Sequence, residues 1–271
     1  MSLKNNQQGQ VLLVIVLLIT VVLTVGLSIA TRSIINVRLA TQEDQSQRAF
    51  SAAEAGLEQS LLSNNAIDNA TFSNNATFST AVTNLQGADF LLNNGKLVVK
   101  DEGADLWLSQ YSTDPSKMYS GPWTGNLTVY WGSPQDVCDS SETVNTMAAL
   151  EVIVISGTKT NATAQRYAFD PCAPRRASNN FSGTGVGGTV SGQTFANSVQ
   201  IPVSGNGLLA RMIPIYANTY MGVNGSAGLP VQGTLITSTG TSGDVQRKVT
   251  VLKENPRLPS EVFSYTFMWP Q

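Results

Sequence analysis

Side chains that could carry chemistry are few in this chain of 271 residues. It contains no histidine, which removes the Ser-His-Asp and Cys-His arrangements of nucleophilic catalysis and any histidine metal site. The two cysteines, Cys138 and Cys172, are too few for a structural zinc site and are not spaced as a redox pair. We therefore predict no catalytic residues, and an extracytoplasmic enzyme is the least favoured class of function.

Acidic side chains form two groups that could in principle bind calcium, which prefers several oxygen ligands and tolerates loops. The first group is Asp101, Glu102 and Asp105, and the second is Asp136, Asp139 and Glu142. Neither group has the spacing of a recognised calcium loop, and acidic turns of this kind are usually solvated. We predict no metal site and no cofactor.

A glycine pattern of the form GxGxxG occurs at Gly183, Gly185 and Gly188. We do not interpret it as a nucleotide site, because no strong parallel strand and no helix flank it. The tryptophans could stack on glycans or on single-stranded nucleic acid, but core packing is the ordinary fate of such residues. The net charge of −2 gives no support for nucleic-acid binding.

The composition favours an exported, β-rich domain. Charged residues make up 13% of the chain, about half the usual fraction, so Ser, Thr, Asn and Gly must form much of the surface. In an exported protein Cys138 and Cys172 are expected to form a disulfide. Two unpaired buried thiols are the alternative.

One stretch near the start of the chain organises everything else. Residues 11–30 are apolar, without charge or proline, and long enough to cross a hydrocarbon layer of about 30 Å as a helix. Residues 31–62 contain no proline, and apolar residues recur there at three- and four-residue steps. We predict one helix over residues 10–62, with Ser63-Asn64-Asn65 ending it.

This stretch resembles the N-terminal region of type IV pilins. The polar leader before Gly9 and the sequence of residues 47–56, QRAFSAAEAG, are similar to PilX-like minor pilins. The resemblance implies that a prepilin peptidase cuts after Gly9 and leaves Gln10 as the new first residue. It also implies filament packing through the helix, for which the candidate residues are Val14, Phe50, Ala53, Leu57 and Leu61.

Two positions depart from the family pattern. Most pilins begin with phenylalanine after the cut, where this chain has Gln10, and carry glutamate as the fifth mature residue, where it has Val14. In the family that glutamate is thought to neutralise the amino terminus of the neighbouring subunit. Its absence is shared with some subunits located at the filament tip, so the resemblance implies a minor subunit.

Two other interpretations of the apolar run stay open. An ordinary secretory signal could be cleaved after Ala30, although the leader has only one basic residue, Lys4, and the run exceeds the usual length. A plain membrane anchor that never polymerises has the same hydropathy. Basic residues lie on both sides of the run, so the positive-inside rule says little about orientation.

The rest of the chain shows strand signals, namely short β-branched or aromatic runs between Gly, Asn, Asp and Pro. We predict an α+β fold, with a long N-terminal helix (transmembrane, then amphipathic) followed by a β-rich, mainly antiparallel globular head. Predicted strands are residues 96–100, 127–131, 149–156, 164–169, 208–217, 233–237, 245–252 and 262–268. Within residues 149–156, Glu151 is expected either on the exposed side with Ile153 and Ile155 or paired with a basic residue.

The predicted organisation has five parts. They are the leader at 1–9, the long helix at 10–62, the first part of the β-rich head at 63–177, a Gly/Ser-rich loop or linker at 178–207, and the second part of the head at 208–271. The sequence does not decide whether the head is one domain or two.

These features predict a type IV pilin-like, minor subunit that is held in the membrane and then packed into an extracellular filament. Its expected partners are other pilin subunits, the prepilin peptidase, the pilus assembly machinery and the membrane. Its expected location is the inner or cytoplasmic membrane with the head outside, then the cell surface or pilus. The alternative is a single-pass surface adhesin or receptor that does not polymerise.

Mass spectrometry of the mature protein checks this prediction. We expect a first residue of Gln10, because the leader resembles that of prepilins. A first residue of Thr31 would instead indicate simple secretion, and an uncut chain would indicate a permanent anchor.

Overall fold

The computed structural model describes residues 8–112, 114–138 and 146–258. The predicted strand at residues 262–268 lies outside this range. The structure has the predicted α+β fold, with one long helix followed by a mainly antiparallel sheet. By internal contacts the chain forms two compact units, the first containing residues up to Val82 together with Ile236–Val251, and the second containing Thr83–Leu235 and residues from Leu252 onward.

Helix α1 is unbroken from Gln8 to Ser63, a total of 56 residues, or about 84 Å at 1.5 Å per residue. It contains the Asp44–Arg48 ion pair, with 2.8 Å between the charged atoms, at the spacing that favours helices. The helix ends at the predicted place, where Asn64 adopts a left-handed conformation with φ of 53° and donates its backbone N–H to the carbonyl of Ser60.

The strands that follow are mostly longer than the sequence patterns predict. They are β1 (Ile67–Thr71), β2 (Thr77–Leu91), β3 (Ala104–Trp107), β4 (Trp123–Trp131), β5 (Ala149–Thr158), β6 (Asn161–Phe169), β7 (Gly185–Val186), β8 (Thr189–Val190), β9 (Gln193–Thr194), β10 (Asn197–Ile215), β11 (Met221–Ser242) and β12 (Val245–Glu254). A short helix, α2 (Ala173–Asn179), lies between β6 and β7, and a single 3-10 turn, Leu92–Gly95, follows β2.

The main sheet has the strand order β1-β2-β11-β4-β10-β5-β6, with β12 paired to β11 and both β3 and β7 paired to β10. Strands β8 and β9 form a separate hairpin. In the second unit, β10 pairs antiparallel with β4, β3 and β5. One face of these strands builds the main core, which includes Leu106, Leu127, Trp131, Leu150 and Met212, each at most 1% exposed.

Strands β1 and β2 form a hairpin from two identical pieces of sequence, Asn69-Ala70-Thr71-Phe72-Ser73 and Asn75-Ala76-Thr77-Phe78-Ser79. Ala70 faces Phe78 and Thr71 faces Thr77, and the rings of Phe72 and Phe78 lie 5.4 Å apart. The tandem echo is therefore a local duplication in which each copy contributes to one strand of a hairpin.

The predicted disulfide between Cys138 and Cys172 is present. Cys172 is fully buried, and its backbone N–H donates to the buried carboxylate of Asp170 at 2.8 Å. Arg175 donates to the same carboxylate through Nε at 3.0 Å and Nη2 at 2.8 Å. The second cysteine is thus fixed by a short ion-paired segment that leads into α2.

Three local predictions need correction. Residues 96–100 do not form a strand, because the chain turns at left-handed Asn93, Asn94 and Asp101 and leaves a single bridge from Val98 to Thr219. The predicted turn at residues 240–244 is confined to residues 243–244, since β11 continues to Ser242. Ile153 is fully buried rather than exposed with Glu151.

Glu151 instead takes the second predicted arrangement and pairs with a basic residue, Arg166, at 2.9 Å. The stretch at 178–207, expected to be a loop or linker, contains β7, β8 and β9 and the first part of β10. Four of its apolar residues are at most 3% exposed, namely Val190, Phe195, Ile201 and Val203. Apolar residues spaced through a glycine-rich segment were enough to anchor it.

Candidate functional site: helix α1 and the strands packed on it

The first part of α1 is exposed on all sides. Every described side chain from residue 12 to residue 44 is exposed, and the large apolar ones between Leu12 and Leu39 expose 49–68% of their surface. The helix from Leu12 to Ser63 is long and apolar enough to cross a membrane. This surface therefore needs a cover other than the described residues of this chain.

Threonine hydroxyls in this part of the helix have backbone partners, as expected for a helix that enters lipid. Thr20, Thr24 and Thr31 donate to carbonyls three or four residues earlier, each at 2.8 Å. These threonines consequently add no unpaired polar group to the apolar surface.

The second part of α1 buries one narrow face, made of small residues. Ala49, Ala52, Ala53 and Ser60 are at most 2% exposed, and Gly56 is buried with them. On the strand side, β11 buries Ser238, Gly240 and Ser242, and these residues alternate with half-buried threonines. Small residues on both sides allow the helix backbone and the strand backbone to approach each other closely.

Gly240 lies at the closest approach. A Cβ atom at this position would stand 1.9 Å from the carbonyl oxygen of Ala49 and 2.6 Å from the backbone nitrogen of Ala53. At Gly56, a Cβ atom would stand 2.4 Å from Cδ2 of Phe78 and 2.7 Å from Oγ of Ser238. Real Cβ atoms do not approach other atoms so closely, so these two glycines are a condition of the packing.

Polar contacts hold the same face at both ends. The buried hydroxyls of Ser60 and Thr80 are hydrogen-bonded at 2.6 Å, and Thr80 Oγ1 also accepts from the backbone N–H of Ile67 at 2.8 Å. Closer to the apolar run, Arg247 of β12 donates to the hydroxyl of Ser46 through Nε at 2.9 Å and Nη2 at 2.6 Å.

The residues predicted for filament packing do not share one environment. Val14 is 58% exposed and Phe50 is 46% exposed, whereas Ala53 is completely buried in the intrachain contact. Leu57 and Leu61 are half-buried. Their packing against another subunit stays a prediction.

Helical geometry explains this division. At 100° per residue, Phe50, Leu57 and Leu61 fall within about 20° of one line along α1. The line through Ala49, Gly56 and Ser60 runs about 100° away from it. The apolar stripe visible in the sequence is therefore different from the face that the chain's own strands cover, and Ala53 belongs to the covered face.

Gly9 and Gln10 lie within the described backbone of α1, and their side chains are outside the description. Beside the exposed Phe50 lie Arg247 and Lys248, which line a shallow surface depression with Ser46, Gln47 and Ser51. An aromatic ring next to two cations is thus available on the open side of α1.

The carboxylate groups noted in the sequence are not assembled into a site. Asp105 is buried in an ion pair with Arg211, while Asp101 and Glu102 are exposed. Asp136 accepts from the backbone N–H of Ser133 at 2.7 Å, and Asp139 and Glu142 lie outside the described residues. Among the described residues, no group of three potential metal-binding side chains occurs.

The glycine and tryptophan patterns have structural positions in the second unit. Gly185 belongs to β7, and a Cβ atom on Gly188 would stand 2.9 Å from the ring of Tyr130. Trp107, Trp123 and Trp131 are at most 6% exposed, which agrees with core packing. Trp269 lies outside the described residues.

Sequence reasoning missed the small-residue face. Its signal is the recurrence of Ala49, Ala53, Gly56 and Ser60 at three- and four-residue steps, together with Ser238-Thr239-Gly240-Thr241-Ser242 in a strand. Hydropathy does not detect such a face, because small residues contribute little to an apolar stripe.

The part of the chain that the structure describes thus has one membrane-capable helix and a mainly antiparallel β-rich head. Residues 8–58 match the family model described as PilX N-terminal. This match covers nearly the whole of α1 and about a fifth of the chain, and it supports a relationship to type IV pilins. No curated protein and no solved structure matches the chain.

A substitution at Gly240 tests the close approach of α1. We expect Gly240→Ala to lower the free energy of unfolding by about 1–3 kcal/mol, the usual cost of overpacking, because the methyl group meets the backbone of α1. Gly228→Ala, on the same strand, is the matched control, since nothing lies within 4 Å of a Cβ atom there. Denaturant unfolding of the purified chain in detergent measures both, and equal midpoints would contradict the assigned contact.

Proposed function

We propose that this protein is a minor type IV pilin-like subunit, held in a membrane by α1 and then packed into an extracellular filament through the same helix. Two observations support the proposal: the match of residues 8–58 to the PilX N-terminal model, and the continuous exposed surface of α1. The leader up to Gly9 would be removed by a prepilin peptidase, with Gln10 as the first mature residue.

The observation that carries the proposal is how far the exposed apolar surface extends. A bilayer needs about 20 helical residues, which residues 11–30 supply. Ile34, Ile35, Val37 and Leu39 lie beyond that span and still expose 49–64% of their surface. Lipid cannot cover both regions of a helix lying across the membrane, so a protein partner must cover the second.

Neighbouring copies of a pilin helix suit this requirement. In the membrane, lipid satisfies the apolar run, and after extraction the same run must be satisfied by the helices of other subunits. Transfer from lipid to protein brings little hydrophobic gain. The free energy of assembly must therefore come from close packing and from the assembly machinery.

The division of α1 into faces is compatible with this exchange. The strands of the same unit pack against the small-residue face and leave the side of α1 that carries Phe50 uncovered. An incoming helix could thus reach Phe50 without displacing the strands. The proposed orientation places the head outside the cytoplasmic membrane, in agreement with the disulfide.

A surface adhesin or receptor that remains in the membrane is the second candidate. One observation favours it: Val14 offers no carboxylate to the amino terminus of a neighbouring subunit. The two candidates differ in whether mechanical shearing of cells releases the protein in a filament fraction.

Substitution of Phe50 tests filament packing. We expect Phe50→Glu to reduce the amount in the sheared filament fraction at least about tenfold, because burying a phenylalanine contributes about 2 kcal/mol and 1.4 kcal/mol corresponds to a factor of ten. The amount in the membrane fraction should stay unchanged. Val186→Glu, at a side chain that is 92% exposed, serves as control. Retention of wild-type levels in the filament by Phe50→Glu would favour the non-polymerising candidate.

Introducing the missing carboxylate tests the position in the filament. We expect Val14→Glu to change the number of copies per filament, counted by immunogold labelling, because the new charge can contact a neighbour's amino terminus. Val16→Glu adds the same charge about 200° around the helix and should only impair incorporation. An unchanged copy number for Val14→Glu would count against the proposed role of this position.

A further inference from the structure

Two cations and two carboxylates of the first unit lie exposed near the open side of α1, the side that carries Phe50. Arg247 and Lys248 of β12 line the depression beside Phe50, and both side chains are exposed. Glu54 and Glu58 are exposed on α1, one to two turns further along the helix. The ion pairs among the described residues involve other side chains.

Helical geometry places the two carboxylates on the open side. At 100° per residue, Glu54 falls about 40° from Phe50 around the helix axis, and Glu58 falls about 80° from it. The line through Ala49 and Gly56, which the strands cover, runs about 100–120° from Phe50 in the opposite sense. A partner that packs on Phe50 can therefore reach both carboxylates without displacing the strands.

Neighbouring copies of α1 lie parallel in the proposed filament, because every copy is drawn from the same membrane in the same orientation. Two parallel copies at the same level would place the cations of one chain beside the cations of the other, and the carboxylates beside the carboxylates. Like charges placed opposite each other are unfavourable. A displacement of one copy along the helix axis removes this repulsion.

A displacement by seven residues keeps the same faces in contact. Seven residues are nearly two turns, so the position around the helix changes by only about 20°. The corresponding shift along the axis is about 10.5 Å at 1.5 Å per residue. It places the neighbour's half-buried Leu57 level with the exposed Phe50, and the two apolar side chains can then pack on each other.

The same displacement also matches the charges. It places the neighbour's Glu54 level with Gln47, and the neighbour's Glu58 level with Ser51. Gln47 and Ser51 line the same depression as the two cations of β12. Both carboxylates of the neighbour would therefore lie at the level of a positively charged wall, and such complementarity fixes the register of an interface.

We propose that a second, parallel copy of this chain, displaced by seven residues along α1, occupies the open side beside Phe50. Its Glu54 and Glu58 pair with the two cations of β12. This inference rests on the proposed filament function and adds the partner and the register. The contact joins different patches of the two copies, so it is heterologous and can repeat into an open helical assembly. Two neighbouring copies are enough for one such contact.

Two differently substituted copies made in the same cell test the contact. One copy carries Glu54→Gln with Glu58→Gln, and the other carries Lys248→Arg, so a crosslink between Lys248 and either carboxylate can form only between chains. A carbodiimide, which joins an amine to a carboxylate in direct contact, is applied to the sheared filament fraction. We expect mass spectrometry to find Lys248 joined to Glu54 or Glu58. Cells in which both copies carry Lys248→Arg give the background.

The possible outcomes separate this inference from the filament function. If both copies reach the filament fraction and the crosslink does not exceed background, the proposed register is wrong while the filament function stands. Crosslinks of Lys248 only to a different subunit would also overturn the register, because another pilin would then occupy the face. If neither copy reaches the filament fraction, both proposals are wrong.

Charge reversal tests the pairing without a crosslinker. We expect Arg247→Glu with Lys248→Glu, and separately Glu54→Lys with Glu58→Lys, to lower the contact between copies and reduce the filament fraction at least about threefold, since several exposed ion pairs are lost together. Cells that make both reversed copies should recover at least half of the wild-type amount, because the reversed patches of the two copies attract each other.

A matched charge change on the second unit is the control. Lys96→Glu with Lys100→Glu, at two exposed side chains, alters the net charge equally and should leave the filament fraction unchanged. Full amounts of either reversed variant in the filament, or no recovery when both reversed copies are made together, would overturn the proposed pairing. The membrane fraction, measured in parallel, shows that each variant is still made and inserted.

Discussion

Helix α1 can lie against its own strands only because neither side carries bulk at the contact. Gly240 brings the strand backbone to the backbone of Ala49 and Ala53, and Gly56 makes room for the ring of Phe78. Close backbone approach of this kind replaces large apolar side chains by extensive van der Waals contact. The larger residues Phe50, Leu57 and Leu61 lie on an adjacent face of the helix, where they do not obstruct the strands.

This arrangement separates three surfaces along one helix. Residues 12–30 have the length and hydropathy for lipid, residues 31–44 are apolar in part yet uncovered, and the following turns carry a covered small-residue face beside the exposed Phe50. A soluble protein would not leave so much contiguous apolar surface uncovered. The proposed transfer from lipid into a protein assembly would require it, because the same surface must be available in both environments.

Much of the fold could be predicted from local sequence. Hydropathy and the absence of proline fixed the course of α1, and Ser63-Asn64-Asn65 marked its end because asparagine tolerates the left-handed conformation. Short β-branched runs located six of the twelve described strands, β4, β5, β6, β10, β11 and β12, and two cysteines in an exported chain were sufficient for the disulfide. These signals lie within a few residues of the element that they determine.

The parts that could not be predicted depend on distant partners. Strand β10 begins in a glycine- and serine-rich stretch because its partners in β4 lie more than 60 residues earlier. Asp105 belonged to a plausible calcium group until the fold brought it to Arg211, 106 residues away. The small-residue face of α1 also has little hydropathy signal, and its meaning depends on a matching run of small residues in β11. Pairing over such separations is decided by the whole sheet, which no local window contains.

The duplicated sequence in the β1–β2 hairpin would by itself allow more than one alignment of the two strands. Two copies of the same five residues cannot by themselves specify which copy forms the turn and which lies against the helix, because each offers the same side chains. The residue that follows each copy differs, being Asn74 after the first and Thr80 after the second. Asn74 accepts a hydrogen bond from Ala76 within the turn, whereas Thr80 reaches the buried hydroxyl of Ser60. The polar residue after each copy thus distinguishes the two copies and favours the observed alignment, which the duplicated residues alone could not select.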